Sequence, residues 1–469
     1  MNEPKVSVCI PTRNRAAWLA EGLGSVLAQT LQDFEIVVCD DASTDETREV
    51  VGEVADPRLR YLRHERPLGV AANRNACLAA ARGRYVAWLD SDDRYLPRML
   101  EIQCAALDRW PRAAMAHGAF HVIDAAGRRL PDWPQAFAGD VVEPGLEAFH
   151  ELTLRCYVSA PTVVVRRAVH QAVGPFRETL PVAEDWEMWM RISLYGDIAF
   201  TAEPVAEYRW HPGSVSRRAE AAGDRLAHEL EALRGVFASH RPRIPEAAAC
   251  ERRATAAIAA RAFRRATDCL TRGRRGAALA ALGLAVRACP RLSRRASTWS
   301  SIAAVVSGAE YRWHLASRAA LARLGGELED SRAGAALRRA TEVSATWETA
   351  LHEMARTVRR IVPPDAALAV VDKWDPTLLH LSRRRGWHFP DRRLLPDGYP
   401  PDSATAVRHL EAMRRRGAEY LVLPSSAFWW LEHYPGLTEY LHERSAIAGA
   451  DRHCAIYRLT AAAEARWAA

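Results

Sequence analysis

YVAWLDSDD (85–93) joins a short apolar run to three aspartates. The run has the length and the aromatic and β-branched content of a buried strand, and the acids follow at its carboxyl end. The arrangement recurs upstream. KVSVCI (5–10) is closed by the turn Pro11-Thr12-Arg13-Asn14, and FEIVVC (34–39) runs into Asp40-Asp41. A further acidic pair, Glu184-Asp185, opens Trp186–Leu194, which has helical spacing. Carboxylates are rarely buried without a partner. Gathered at strand ends, they read as a site for a hard divalent cation and a phosphorylated ligand.

Between the strands the pattern is helical. Ala16–Gln29 places Trp18, Leu19, Leu23, Val26 and Leu27 on one face, and Gly69–Ala81 reads as another helix. Ser43 and Glu46 stand at the N-cap and capping-box positions of a helix between them, and Arg58–Arg63 reads as a short strand. This alternation predicts an α/β fold: a mainly parallel sheet with helices on both faces. Ligands of such sheets bind beyond the carboxyl ends of the strands, where Thr12, Asp40, Asp41, Asp90 and Asp92 all fall. Asp93 orients its neighbours or caps Tyr95–Leu100.

The chain has 469 residues, room for roughly two to four domains. At 49% apolar and 26% charged it falls in the soluble globular class. The longest apolar candidate, Gly276–Val286, lies between Arg275 and Arg287 and is too short to span a bilayer. The start, Met-Asn-Glu-Pro-Lys, lacks a signal-peptide pattern, and the nine cysteines form no CxxC. Reduced thiols in the cytoplasm are expected. The net charge of +7 is uneven: residues 241–346 hold 20 arginines against 8 acidic residues, and the rest is net negative. Such a segment is either a solvated helical face or a basic surface for anionic lipid or an acidic acceptor.

From about Arg234 to Thr346 the texture is Ala/Arg/Leu-rich and helical, broken at Arg272-Gly273, Cys289-Pro290 and Gly325-Gly326. Ala262–Leu270 and Ala277–Arg287 read as an antiparallel helical hairpin closed by Pro290, similar to a single repeat of the tetratricopeptide type. Beyond it, Ala367–Val371, Tyr420–Leu423 and Cys454–Leu459 are strand-like. Ala404–Arg415 is amphipathic, and Leu431–Arg444 reads as a helix despite Pro435. The expected organisation is a first domain over 1–235, a helical spacer over 236–346, a small α/β domain over 347–460 and a tail over 461–469.

VSVCIPTRNR (6–15), FEIVVCDDASTDET (34–47), GVAANRNACLAAARGRYVAWLDSDDRYLP (69–97), APTVVVRR (160–167), VAEDWEMWMRI (182–192) and YRWHPGSVSR (208–217) together resemble the family-2 glycosyltransferases with the GT-A fold. The resemblance covers roughly the first half of the chain. The C-terminal segment resembles modules fused to bacterial glycosyltransferases.

What the resemblance implies is transfer of a sugar from a nucleotide diphosphate to an acceptor hydroxyl. Such chemistry needs a neutralised leaving group, a base and in-line placement. Asp90-Ser91-Asp92 matches the DxD motif, so Asp92 would bind Mn²⁺ or Mg²⁺ bridging the phosphates, with Asp90 toward the ribose or donor sugar. His211 matches a histidine near the metal. Pro11, Thr12, Arg13 and Asp41, with Asp40 beside it, match positions that hold the nucleobase and ribose. Asp41 would favour uridine by accepting its imide N–H. Arg74 matches the element behind the nucleotide. Glu184-Asp185 matches the ED pair, with Asp185 as the general base of an inverting displacement.

Each residue has a plainer reading. Aspartates are common in turns and at helix N-termini, Arg74 suits a structural ion pair, and a lone histidine is usually structural. Trp186 and Trp189 are either core or a surface for a sugar ring. Trp374, Trp387, Trp429 and Trp430, with His380, His388 and His433, are either the core of the last domain or a carbohydrate or partner site. The processive QxxRW signature is absent. The expected partners are a UDP-linked donor and a glycan or lipid-linked acceptor of cell-surface polysaccharide synthesis. No nucleic acid is expected. The basic segment would touch the inner membrane face peripherally. A nucleotidyltransferase would carry a glycine-rich loop after the first strand, which Pro11–Arg15 lacks. A degenerate transferase acting as a scaffold is the non-enzymatic alternative.

Overall fold

The computed structural model describes residues 3–271, 274–294, 350–371, 377–390 and 400–459. They group into two compact units, the first containing residues 3–262 and Leu284–Pro290, the second Phe263–Gly283 and the C-terminal segments.

In the first unit, β1 (Val6–Thr12), β2 (Phe34–Asp40), β3 (Leu59–Arg63) and β4 (Tyr85–Trp88) are parallel neighbours in the order β3-β2-β1-β4. Every residue of β1 and β2 is buried, as expected of parallel strands covered on both faces. α1 (Ala16–Leu27) buries Leu19, Leu23 and Val26 against Val6, Val8, Ile10, Ile36 and Val38. α3 (Val70–Ala80), after the short α2 (Thr47–Gly52), sets Cys77 near the carbonyl of Val37.

Beyond β4 the sheet changes character. It continues through β8 (Val164–Arg166), β6 (Ala113–Ile123), β9 (Asp197–Arg209) and the two-residue β5 (Arg94–Tyr95), with β7 (Val141–Glu143) also on β9. β8 is antiparallel to β4 and β6, while β6 and β9 are parallel. The mainly parallel expectation therefore describes the first four strands, and the remainder is mixed. Helices α4 (Met99–Arg109), α5 (Gly145–Leu154), α6 (Arg167–Val173) and α7 (Glu184–Ser193) fill the connections. α8 (Val215–Ala222), α9 (Arg225–His240), α10 (Ala247–Thr271) and α11 (Arg275–Ala288) follow.

Local expectations differ from the structure in four places. β1 continues through Pro11 to Thr12. β4 pairs with β1 only up to Trp88, so the missing N–H of Pro11 lies past the end of that ladder. The capping box does not form: Ser43 Oγ accepts the backbone N–H of Asn14, and α2 starts at Thr47, bonded to Asp45. Arg94–Tyr95 is strand, and α4 begins only at Met99. The single helix expected over Leu431–Arg444 is two, Trp429–His433 and Pro435–Arg444, because proline fits the first turn of a helix and not its interior.

The second unit carries a sheet in the order β11-β10-β12-β14-β13, from β10 (Ala367–Val371), β11 (Arg385–Phe389), β12 (Tyr420–Pro424), β13 (Ser445–Ala450) and β14 (Cys454–Leu459). Helix Ser403–Arg415 packs Ala406, Leu410 and Met413 on one side of it. The helix over 350–361 sets Leu351, Met354 and Val358 against Leu368, Val370 and Ile456. Trp430 is buried in this core, whereas Trp429 is 41% exposed. The expected helical hairpin corresponds to the end of α10 and to α11; Trp374 and residues 295–346 of the expected spacer lie outside the described residues. Among the described residues no helix is long and apolar enough to cross a membrane.

Candidate active site

The strand ends converge as the sequence implies. Pro11 and Thr12 from β1, Arg13 just after it, Asp41 after β2, and Arg74 from α3 line one cavity of about 950 Å³. The turn Asp90-Ser91-Asp92 after β4 and the α7 N-terminal pair Glu184-Asp185 line the same cavity. Its floor is the point where four parallel strands stop and the mixed half of the sheet begins.

Asp41 is buried, and its two oxygens accept the backbone N–H groups of Leu68 and Gly69 at 2.6 and 3.0 Å. It thereby fixes the loop that starts α3, while Arg13 Nη1 stands 3.9 Å away. Thr12 is equally buried, and its Oγ1 has no hydrogen-bond partner. A buried hydroxyl left unpaired calls for a partner, and Thr12 lines the cavity wall. Asp40 does not line the cavity. It is fully buried, accepts Ser43 N–H at 2.8 Å and the Tyr61 hydroxyl at 2.5 Å, and so ties β2 to β3.

Arg74 is the electrostatic hinge of the floor. Its Nη2 donates to Asp90 Oδ1 at 2.6 Å and its Nε to Glu184 Oε1 at 3.3 Å, while Nη1 is buried without a partner. The guanidinium also lies 5.4 Å from the Trp88 ring centroid. One buried cation thus joins β4 to the start of α7. Burial and the adjacent Asp185 push the Glu184 carboxyl up to about 8, against the pull of Arg74. Glu184 is buried, whereas Asp185 beside it is only half-buried and opens onto the cavity. Ala183, just before the pair, holds a left-handed φ of 66°, a strained turn that aims the first residues of α7.

Asp92 and His211 meet: His211 Nε2 stands 2.9 Å from Asp92 Oδ2, with Arg15 Nε 3.7 Å from the same oxygen. His211 is buried against Trp18, ring centroids 4.4 Å apart. Asp93 serves the frame; it is buried and accepts the backbone N–H of Arg209 at 2.7 Å. Trp186 and Trp189 are core: both are buried, and Trp186 Nε1 donates to the Leu152 carbonyl at 2.7 Å.

Sequence reasoning passed over Arg209. This buried cation donates from Nε to the Asp92 carbonyl at 2.7 Å and from Nη2 to Glu21 at 2.6 Å, locking the DSDD turn to β9 and α1. Its position between Tyr208 and Trp210 in a strand was the available signal, since a buried arginine needs several acceptors. Asn73, next to Arg74 in α3, also lines the cavity, and its Nδ2 donates to the Cys39 carbonyl at 2.9 Å.

Residues 7–152 match the family model described as glycosyl transferase family 2. An Escherichia coli relative, UDP-Glc:alpha-D-GlcNAc-diphosphoundecaprenol beta-1,3-glucosyltransferase WfgD, is 31% identical over 192 residues, 41% of this chain and 71% of that protein. An uncharacterised glycosyltransferase of Rickettsia conorii is 31% identical over 216 residues, 46% of this chain. The match spans only 34% of the Rickettsia protein's own length. Among solved structures, S. aureus TarS 1-349 in complex with UDP-GlcNAc superposes with a TM-score of 0.51 at 22% identity, over 67% of this chain and 90% of that one, which shows a shared GT-A fold. The strand-end acids, the family model over residues 7–152 and a relative matched over most of its length agree: the chain belongs to glycosyl transferase family 2.

Proposed function

We propose that the protein transfers a sugar from a UDP-linked donor to an acceptor hydroxyl, with inversion, in the assembly of a bacterial surface glycan. The observation that carries this reading is the shared cavity: Thr12, Asp41, Arg74, Asp90, Asp92 and Asp185 come from five separate elements and line one space. Its volume of about 950 Å³ suits a nucleotide sugar plus part of an acceptor. The names of the E. coli and S. aureus relatives, which mention UDP-Glc and UDP-GlcNAc, support a uridine donor.

Each group has a task. The unpaired Thr12 hydroxyl and the remaining lone pairs of Asp41 would bind ribose and base. Arg74, held by two carboxylates with one N–H face unused, keeps Asp90 in place under the donor. Asp185 would take the proton of the acceptor hydroxyl as it attacks the anomeric carbon. Glu184, held by Arg74, would orient its neighbour.

The donor set suits a divalent cation. Among the described residues no three His, Cys, Asp or Glu side chains form a complete protein site. Asp92 and His211 nevertheless offer an oxygen and a nitrogen within 2.9 Å of each other. A cation arriving with a diphosphate takes its other ligands from phosphate and water. Asp92 and His211 would hold Mn²⁺ or Mg²⁺, and the cation would neutralise the departing diphosphate.

The test is UDP release from UDP-glucose and UDP-N-acetylglucosamine by the full chain. Measurable turnover that falls about a thousandfold in Asp185→Asn is expected, the range for loss of a positioned base. Turnover by neither donor, or an unaffected Asp185→Asn, would leave the scaffold alternative standing.

A further inference from the structure

The cavity has a second, aromatic wall. Phe120 on β6, Tyr208 on β9 and Trp133 on the loop after β6 all line it. None lies on β1, β2 or α3, the elements that carry Thr12, Asp41 and Arg74. The three rings pack on one another. Phe120 meets Trp133 edge-on with centroids 6.1 Å apart, and Trp133 meets Tyr208 at 5.3 Å.

Trp133 is nevertheless 43% exposed. A tryptophan buried for core stability would be covered; this one keeps part of its ring open at the cavity. Its backbone is held. Asp132 Oδ1 accepts the N–H of Val122 at 3.1 Å, and Gln135 Nε2 donates to the carbonyls of Trp133 and Phe120 at 2.8 and 3.3 Å. Two polar neighbours of Trp133 thus tie its loop to β6, and ordering the ring in advance lowers the entropy lost on binding. Among the described residues the Tyr208 hydroxyl makes no hydrogen bond. Burial, and then Asp93, Asp92 and Asp90, push its pKa up, so it remains an O–H donor beside the DSDD turn.

We propose that Trp133, Phe120 and Tyr208 form a platform on which a pyranose ring of the acceptor stacks. This rests on the sugar-transfer reading of the same cavity. A pyranose has an apolar C–H face and a rim of hydroxyls. The platform offers the matching pair, an aromatic surface and polar groups at its edge in the Tyr208 hydroxyl and Gln135. A lipid chain would ask for an apolar surround, which Gln135 and the exposed Arg155 of the same cavity do not provide.

The experiment uses the full chain labelled with 5-fluorotryptophan and read by ¹⁹F NMR, the Trp133 resonance being the one missing from Trp133→Phe. UDP with Mg²⁺ is titrated first, then octyl glucoside, octyl galactoside and octyl N-acetylglucosaminide, each below its micelle concentration. At least one pyranoside is expected to move the Trp133 resonance while UDP alone leaves it in place. In calorimetric titration of the same pyranoside, Trp133→Ala should bind about five- to tenfold more weakly than the wild type, the worth of one aromatic contact, with Trp133→Phe in between. A Trp133 resonance that moves with UDP alone, or with none of the pyranosides, overturns the platform. Failure of UDP to bind at all is a separate result and strikes the transfer reading instead.

Discussion

Glu184 shows how much one buried side chain decides. Its carboxyl sits at about 8 in the folded chain against an ordinary value of 4.5, so the folded state holds this proton more tightly than the unfolded one. The resulting stabilisation is complete below about pH 4.5 and is lost as the pH rises through 8. Glu184→Gln, which mimics the protonated form, should flatten this dependence. Between pH 6 and 9 the wild type should lose at least about 1 kcal/mol relative to the variant, measured by urea unfolding at each pH. Parallel curves would mean that Glu184 is ionised against Arg74 throughout. Arg209 makes the complementary case. Arg209→Met leaves the Asp92 carbonyl without its donor and Glu21 with Arg94 alone, and should cost about 1–3 kcal/mol, the scale for a buried acceptor left unpaired. The acids were legible in the sequence because a carboxylate after an apolar strand is conspicuous. Arg74 and Arg209 were harder to place, because a cation's importance lies in which distant acceptors surround it, and spacing along the chain does not record that.

At the level of elements, β1, β2 and β4 were legible nearly to the residue, since buried parallel strands are continuous apolar runs; α3 was legible from its helical spacing. What escaped was set by contacts across the sheet. β13 (SAIAGA) and β11 (RGWHF) lack a strand's alternating pattern and are strands because β14 and β10 pair with them. The capping box failed because the Ser43 hydroxyl is taken by Asn14, 29 residues away. Close approach leaves another signature. A Cβ on Gly83 would stand 2.5 Å from the backbone nitrogen of Ser7, and backbone cannot step aside. Gly83→Ala should therefore destabilise by about 1–3 kcal/mol in thermal unfolding. Gly24, exposed in α1 with nothing within 4 Å of a new Cβ, is the control: Gly24→Ala should stabilise by up to about 1 kcal/mol. Destabilisation at both would show that β1 and α1 are packed otherwise than described.

For the whole molecule, the change of texture near Arg234 was visible, but the first unit runs on to Ala262. Arg261 Nη1 pairs with the buried Glu229 of α9 at 2.6 Å, and its guanidinium lies 5.8 Å from the Trp186 ring centroid, next to the Glu184-Asp185 pair in sequence. A chain ending at residue 235 should consequently melt several degrees below one ending at residue 294, a shift of about 2–4 °C per kcal/mol being typical of this size. Equal melting temperatures would place the boundary at the change of texture. The central claim is that acids from separate strands share one cavity built for a nucleotide diphosphate and its cation. Calorimetric titration of UDP into the full chain, with and without Mn²⁺, tests it most directly. Binding that requires the cation and weakens at least about tenfold in Asp92→Ala is the expected result, one such ligand being worth roughly 1.4 kcal/mol or more. No binding by the wild type, or the same cation-independent binding by Asp92→Ala, would contradict it.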